Sequence, residues 1–583
     1  MINSNRKAGS FRRWFASTVT ALAFVLSVAH AAEYSAGEAM LSVTGTLTLG
    51  TAVRTEARDA ALLPNANSSQ IGIAGLAPGG RNQDDGNLNF AKGDAVATVI
   101  KGYVDFGARR ENLGLFARVK YWHDFILADR GMPWGNYPNG YAAGQPLGES
   151  GFPTRARFSG VVAEDAYVQG SFQPWDKPLQ LKLGRQTLPW GSGFSIGGGV
   201  GDINPSDGPA SRRPGALAEE RSIAFSAAYA RFEVAPNATA ELFAQFGFEP
   251  SVVVPCGTFY AITDYMAPGC DRIWVSGAND RSATGFRTRA ATPEVADSGQ
   301  YGLAFSYRVE PLATTFGVTS AQYHSRMPFG SMVKGATPLS TQYFTEYPER
   351  IRLFALQFTT QLQNTTIQGA LTYRPNQPVQ LNGTDLLLAF ATANPALLRA
   401  DAAATATGAA YRGYDQLKTT QLQFAVSRQL DRTLGARSAT LGAEVGMKLV
   451  NDLPDAGRRR YGRLDVFGAG PIPGAACSGS ADVCTSNGYV SASSWGYRLR
   501  VQLSYPGLIA GVDLKPGLAL GHDVRGWSAD GVFIEGRKLA VLSLRADLGK
   551  RYYSELAWQG AWGGGYDNVR DRDTASLVIG LRF

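Results

Sequence analysis

Beyond its first roughly thirty residues the chain has no uncharged apolar run of the roughly 18 residues that a membrane-spanning helix needs. Any crossing of a bilayer must therefore be made by strands. Histidine is scarce, with 4 in 583 residues. Past the leader only His123, His324 and His522 remain, none beside a cysteine, which argues against a zinc centre. Charge excess is small as well. The formal value is +8, and half of it sits on Arg6, Lys7, Arg12 and Arg13. What is left gives no footprint for nucleic acid. Cysteine is limited to Cys256, Cys270, Cys477 and Cys484. In an exported chain, an even count in two local pairs reads as two disulfides.

Export is written in residues 1–31. The four basic residues open the segment, Trp14 to Val28 is mainly apolar, and Ala29-His30-Ala31 is a small-residue cleavage site. The mature chain is then 32–583.

What the mature chain has in abundance is period-two alternation. In the last ten residues, TASLVIGLRF, one face carries Ala575, Leu577, Ile579, Leu581 and Phe583. The other carries Ser576, Val578, Gly580 and Arg582. WGYRLRVQLSY sets Trp495, Tyr497, Leu499, Val501, Leu503 and Tyr505 against Arg498, Arg500, Gln502 and Ser504. Such strands suit a wall between lipid and water, with aromatics at both interfaces. About eighteen strands can be read, with the one between 507 and 525 weakest, so that sixteen is the lower count. Short links (RREN, PWDKP, VAPN, EPLA, QNT, GKR) alternate with long ones at 54–95, 125–163, 188–221, 249–298, 326–348, 374–415 and 451–493. Soluble folds rarely keep so many long structureless connections. The expected fold is all-β: a closed antiparallel transmembrane barrel of about 16–18 strands with short periplasmic turns and long extracellular loops. Closure leaves no unpaired edge in lipid. The place that follows is the outer membrane of a Gram-negative bacterium, in contact with its lipid and lipopolysaccharide. The terminal Phe583 is the expected signal to the barrel assembly machinery.

Residues 193–197, GFSIG, fit the G-x-S-x-G pattern of a hydrolase elbow, with Ser195 as nucleophile. An elbow needs a helix to follow. Here GGGVGDINPSDGP follows, too rich in Gly and Pro to begin one. The preferred reading is a flexible segment, 188–221, that folds inward as a constriction lined by Asp207, Arg212 and Arg213. Segment 54–95 is a second candidate gate. Lumen-facing positions from the alternation are Glu241, Gln245, Glu444, Lys448, Arg498, Arg500, Arg545, Asp547 and Glu555. Both signs are present, so they select no solute. RRRYGR, with Arg458, Arg459, Arg460 and Arg463, falls in an outward loop, suited to lipopolysaccharide phosphates or an anionic solute. NQDDGNLN, with Asp84 and Asp85, lacks the spacing of a calcium loop and reads as plain loop. No metal or cofactor is expected.

Several strings, taken together, resemble the proteobacterial outer-membrane family catalogued as domain of unknown function 1302. They are DDGNLNFAKGD (84–94), KYWHDF (120–125), GRQTLPWG with INPSD and RRPG (184–215), and PCGTF with PGCD (255–271). The resemblance implies a barrel over nearly the whole mature chain. It also implies, as partners, a resistance-nodulation-division type exporter and a companion protein. It brings no catalytic residues. The expected function is passage of a hydrophobic or amphipathic small molecule, not catalysis. The alternatives are a general hydrophilic porin and an outer-membrane esterase using Ser195.

Overall fold

The computed structural model describes residues 32–583 except 192, 392–395 and 478. The leader assigned to 1–31 lies outside the described residues. The wall consists of β1 (Ala39–Arg54), β2 (Ala95–Arg110), β3 (Leu113–Asp124), β4 (Ser159–Phe172), β5 (Leu179–Gln186) and β6 (Phe225–Ala235). It continues through β7 (Ala238–Gln245), β8 (Gln300–Val309), β9 (Thr314–Tyr323), β10 (Ile351–Leu362), β11 (Thr365–Gln380) and β12 (Tyr414–Asp431). It ends with β13 (Ser438–Asn451), β14 (Ser493–Ile509), β15 (Val512–Arg525), β16 (Lys538–Leu548), β17 (Tyr552–Trp562) and β18 (Thr574–Arg582). Each strand pairs antiparallel with the next, and β1 pairs with β18 from Thr46↔Arg582 to Arg54↔Thr574. The result is a closed 18-strand barrel. A short strand, Ala32–Ala36, extends the wall by pairing with the start of β1.

All the expected strands are present, including the weak one between 507 and 525, which is β15. The alternation decides which way each side chain points. On β18, Leu577 and Ile579 are 49% and 59% exposed on the outer surface, whereas Val578 between them is 1% exposed against the lumen contents. Trp495, Tyr497 and Leu499 on β14 also lie exposed outside, while Arg498 bonds Asp523 inside. The apolar rows do not meet in a shared dry core. They face outward, where lipid can cover them, and the wall carries no unpaired edge because it closes.

One rim has tight reversals. Ala510 and Gly511 both take positive φ (49° and 80°), as a two-residue hairpin turn demands. Glu111, Asn237 and Gln363 also adopt positive φ at this rim. The opposite rim has the long loops, and links 526–537 and 563–573 join the expected set there. Both chain ends of the barrel return to the short-turn rim. The ring of Phe583 rests where a Cβ on Gly45 would stand, and the two residues exchange backbone hydrogen bonds at 2.7 and 3.0 Å. Both expected disulfides, Cys256–Cys270 and Cys477–Cys484, form in long loops. The long loops build a roof with its own apolar core of Phe90, Met132, Leu147, Phe152, Phe259 and the Cys256–Cys270 bridge.

Candidate functional site

Residues 187–224 link β5 to β6, and they enter the lumen. An apolar foot comes first. Leu188, Trp190, Val200 and Ile203 pack on Phe225, Phe243, Tyr323 and Leu353 of the wall between β6 and β10. Trp190 also donates its Nε1–H to Glu241 on β7 at 2.7 Å. A finger follows. Gly191, Gly193 and Gly198 take positive φ (78°, 102°, 98°), which lets the chain turn out and back. Its two ends touch: a Cβ on Gly191 would lie 2.2 Å from the Gly201 nitrogen.

The fingertip is gripped by β11, β12 and β13. Glu444 Oε2 accepts from the Ser195 N–H at 2.7 Å and from its hydroxyl at 2.5 Å. Glu444 Oε1 accepts from the Ile196 N–H at 3.0 Å. Gln423 and Gln421 donate to the carbonyls of Ile196 and Gly197 at 2.7 and 3.1 Å. Arg374 donates to the carbonyls of Gly198 and Gly199, both at 2.8 Å. The irregular backbone of the finger thus has wall side chains as partners, as a buried loop must.

The far end docks on β2, β3 and β4, the opposite side of the barrel. Asp207 caps the short helix Gly208–Arg212 with one oxygen, accepting from Ala210 N–H at 2.9 Å. Its other oxygen accepts from Lys120 Nζ at 2.7 Å. Lys120 also reaches Glu164 at 3.2 Å, and Arg155 reaches Glu164 at 2.5 Å and Asp207 at 3.8 Å. Lys101 pairs with Glu220 and donates to the Gly215 carbonyl at 2.9 Å. These six side chains are buried. Segment 188–221 therefore spans the bore from wall to wall.

Above the finger, under the roof, lies a cavity of about 1390 Å³. Its floor is Leu188–Gly191 with Gly197 and Gly198; its walls include Arg374, Gln421 and Lys448; its roof includes Ile262, Met266, Met327 and Phe329. Apolar side chains dominate the roof, and ionic groups border the floor. Lys448 is held by Asp530 from loop 526–537. Arg212 lines the cavity over the Tyr260 ring at 5.1 Å and, among the described residues, makes no salt bridge.

The expected constriction residues therefore divide. Arg212 faces the cavity. Asp207 and Arg213 do not line an opening: Asp207 is the buried anchor, and Arg213 is buried with its guanidinium 4.3 Å from the Trp122 ring centroid. Asp207 is consumed by docking, because a buried charge needs a partner at once, whereas Arg213 rests on the Trp122 ring with its Nη1 unpartnered among the described residues. Glu444 and Lys448 face the lumen and meet the plug. Arg498, held by Asp523, lies beneath loop 526–537. Arg500 is an exposed lumenal side chain beside Gly442. Arg545 and Asp547 pair at 3.1 Å, Arg545 and Glu555 lie 3.6 Å apart, and Lys515 and Arg582 complete that network toward the short-turn rim. Among the described residues, none of this last group touches the finger. Segment 54–95 folds across the mouth as part of the roof, and only Asn82 and Gln83 of it reach the cavity. Lys101, Lys120, Glu164 and Glu220 were missed by the sequence reading, although the inward parity of β2, β3 and β4 marks the first three.

No elbow forms at GFSIG, in keeping with its glycine-rich sequence, and one surface reading, that of RRRYGR, changes. Ser195 sits in irregular chain, not at a strand-to-helix elbow, and its hydroxyl is spent on a carboxylate. His324 bonds the Ser298 carbonyl, His522 lies against Tyr497, and His123 lies against Phe125. Three arginines of RRRYGR turn inward. Arg460 forms a buried pair with Asp385, Arg463 donates to loop carbonyls, and Arg459 bonds Asp415 and Asp401. Only Arg458 stays exposed for an outside anion.

The chain belongs to the family described as Protein of unknown function (DUF1302), whose model matches residues 12–583. No curated protein matches the sequence. Among solved structures the chain is similar to the outer membrane channel DcaP of Acinetobacter baumannii. That match has 8% identity and a TM-score of 0.36, covering 95% of this chain and 100% of that one. It is also similar to Acinetobacter baumannii OccAB1, at 9% identity and a TM-score of 0.41, covering 93% and 96%. A BenF-like porin from Pseudomonas fluorescens Pf-5 matches at 9% identity and a TM-score of 0.40, covering 93% and 98%. Likeness this distant carries nothing about solute or mechanism.

Proposed function

We propose that this member of the DUF1302 family is a passive outer-membrane channel for hydrophobic or amphipathic small molecules, with segment 188–221 as its constriction. The single observation that carries the reading is the cavity of about 1390 Å³ held between the finger and the roof. A bare barrel of this strand number leaves a wide aqueous bore. Here the chain spends a long segment, anchored on two opposite walls, to narrow that bore into a pocket. Pockets with apolar lining and a few polar groups suit small organic ligands, and this one exceeds the roughly 300–1,000 Å³ that a single drug-sized ligand fills. The Met and Phe side chains of the roof offer apolar contact, and Arg212 offers a cation to an acidic headgroup. In this reading the short-turn rim is periplasmic, the long-loop rim faces outside, and Phe583 is the residue presented to the assembly machinery.

Flux into proteoliposomes tests it. The full barrel is reconstituted, and entry of an ionised aromatic carboxylate is compared with entry of a sugar of similar mass, each corrected for protein-free vesicles. The carboxylate should enter severalfold faster. Equal or faster sugar entry makes the protein a general hydrophilic porin. Entry of neither makes it a closed structural barrel.

A further inference from the structure

The roof contains four carboxylates brought from two loops. Asp84 and Asp85 stand at the start of the short helix Asp85–Asn89 in loop 55–94. Asp264 and Asp280 come from loop 246–299. None is more than 3% exposed. Oxygens of Asp84, Asp85 and Asp280 lie within 4.8 Å of one another. Asp264 is fixed against them, since its Oδ2 accepts from the Asp85 backbone N–H at 3.3 Å. Asn67 donates to Asp84 at 3.0 Å and to Asp280 at 2.8 Å. Arg81 is paired to Asp280 at 3.1 Å.

The second observation is what lacks a partner. Asp85 spends Oδ1 on the Trp134 indole N–H at 2.6 Å, but its Oδ2 has no donor. Asp264 Oδ1 has none either. A buried carboxylate oxygen without a donor forfeits its hydration for nothing. Arg81, paired with Asp280, and Arg572, which acts on Asp264, are two guanidinium groups against four carboxylates.

We propose that Asp84, Asp85 and Asp280, with Asp264 alongside, bind a divalent cation with the chemistry of calcium that ties loop 55–94 to loop 246–299 over the mouth of the barrel. Ligand oxygens of one calcium stand at about 2.3–2.6 Å from it, so oxygens within the observed spacing can share an ion. The donor set is all oxygen, which favours a hard cation over zinc or copper. The acidic pair in NQDDGNLN has no calcium-loop spacing because its partners come from elsewhere: Asp85 and Asp264 are 179 residues apart. The ion would fix the roof next to Asn82, Gln83, Ile262 and Thr263, which border the cavity.

The test uses the full-length barrel in detergent after EDTA treatment, with Tb³⁺ and Ca²⁺ as probes. An ion held by Asp85 lies close to the Trp134 indole, so Tb³⁺ should luminesce on tryptophan excitation, and Ca²⁺ should quench that signal by displacement. Ca²⁺ should also raise the melting temperature over EDTA. The Asp85→Asn/Asp280→Asn double variant should bind Tb³⁺ at least about tenfold more weakly and lose the Ca²⁺ shift. In EDTA it should melt close to the unmodified protein, because relief of repulsion between carboxylates is offset by loss of the Asp280–Arg81 pair. An unmodified protein that melts alike in Ca²⁺ and EDTA and shows no sensitised Tb³⁺ emission overturns the site. So does a double variant that keeps both responses.

Discussion

Excising residues 192–200, so that Gly191 joins Gly201, raises single-channel conductance severalfold. The finger is the part of segment 188–221 that reaches the β11–β13 wall, and its ends already touch. The excision needs little rearrangement of what remains. It leaves Trp190 on Glu241, and it leaves Asp207 and Glu220 on Lys120 and Lys101. It also frees Glu444, Gln423, Gln421 and Arg374 to face water, a polar patch that suits a hydrated bore. Planar-bilayer recording at fixed salt gives the comparison directly. Conductance equal to that of the intact chain would show that the finger does not narrow the ion path.

Lys120→Met destabilises the docked segment by about 3–5 kcal/mol, toward the lower end because Arg155 still reaches Glu164 and Asp207. The substitution keeps the length of the side chain and removes only its charge and donors. Asp207 and Glu164 are then left buried with one cation between them. The favoured escape is undocking of 207–220 from β2–β4, since the wall itself is held by its strand ladders. The expected readout is a lower first transition in thermal or urea unfolding, together with noisier and larger single-channel currents. Arg110→Ala is the control. Its pair with Glu38 is 67%/70% exposed, and its loss should change stability by less than about 0.5 kcal/mol. A Lys120→Met protein that melts and conducts like its parent would mean that the buried cluster does not hold the plug.

The wall was legible because lipid and lumen impose opposite chemistry on alternate residues. β14 and β18 announce both faces in a dozen residues or fewer. β15 was faint because Pro516 and His522 interrupt its apolar row while Gly517, Ala519 and Gly521 blunt its lumenal one, and it is recovered by pairing with β14 and β16. The inward lie of 188–221 was legible as flexibility, through its glycines, but its anchors were not. Asp207 resembled a lining charge in sequence, yet its meaning depends on Lys120, which belongs to a strand 87 residues earlier. Glu444 was visible as lumenal by parity, while its grip on Ser195 spans 249 residues. RRRYGR misled for the same reason: Asp385 and Asp415, which hold its arginines, are outside the local pattern. Parity in a strand tells which side a residue faces. It does not tell what waits there.

The claim on which the rest depends is that a solute pocket lies in the ion path. Current through one reconstituted channel, with an ionised aromatic carboxylate titrated in on the long-loop side, tests this most directly. The account predicts reversible interruptions whose frequency rises with concentration, and none with a sugar of similar mass. Uninterrupted current at every carboxylate concentration would contradict it.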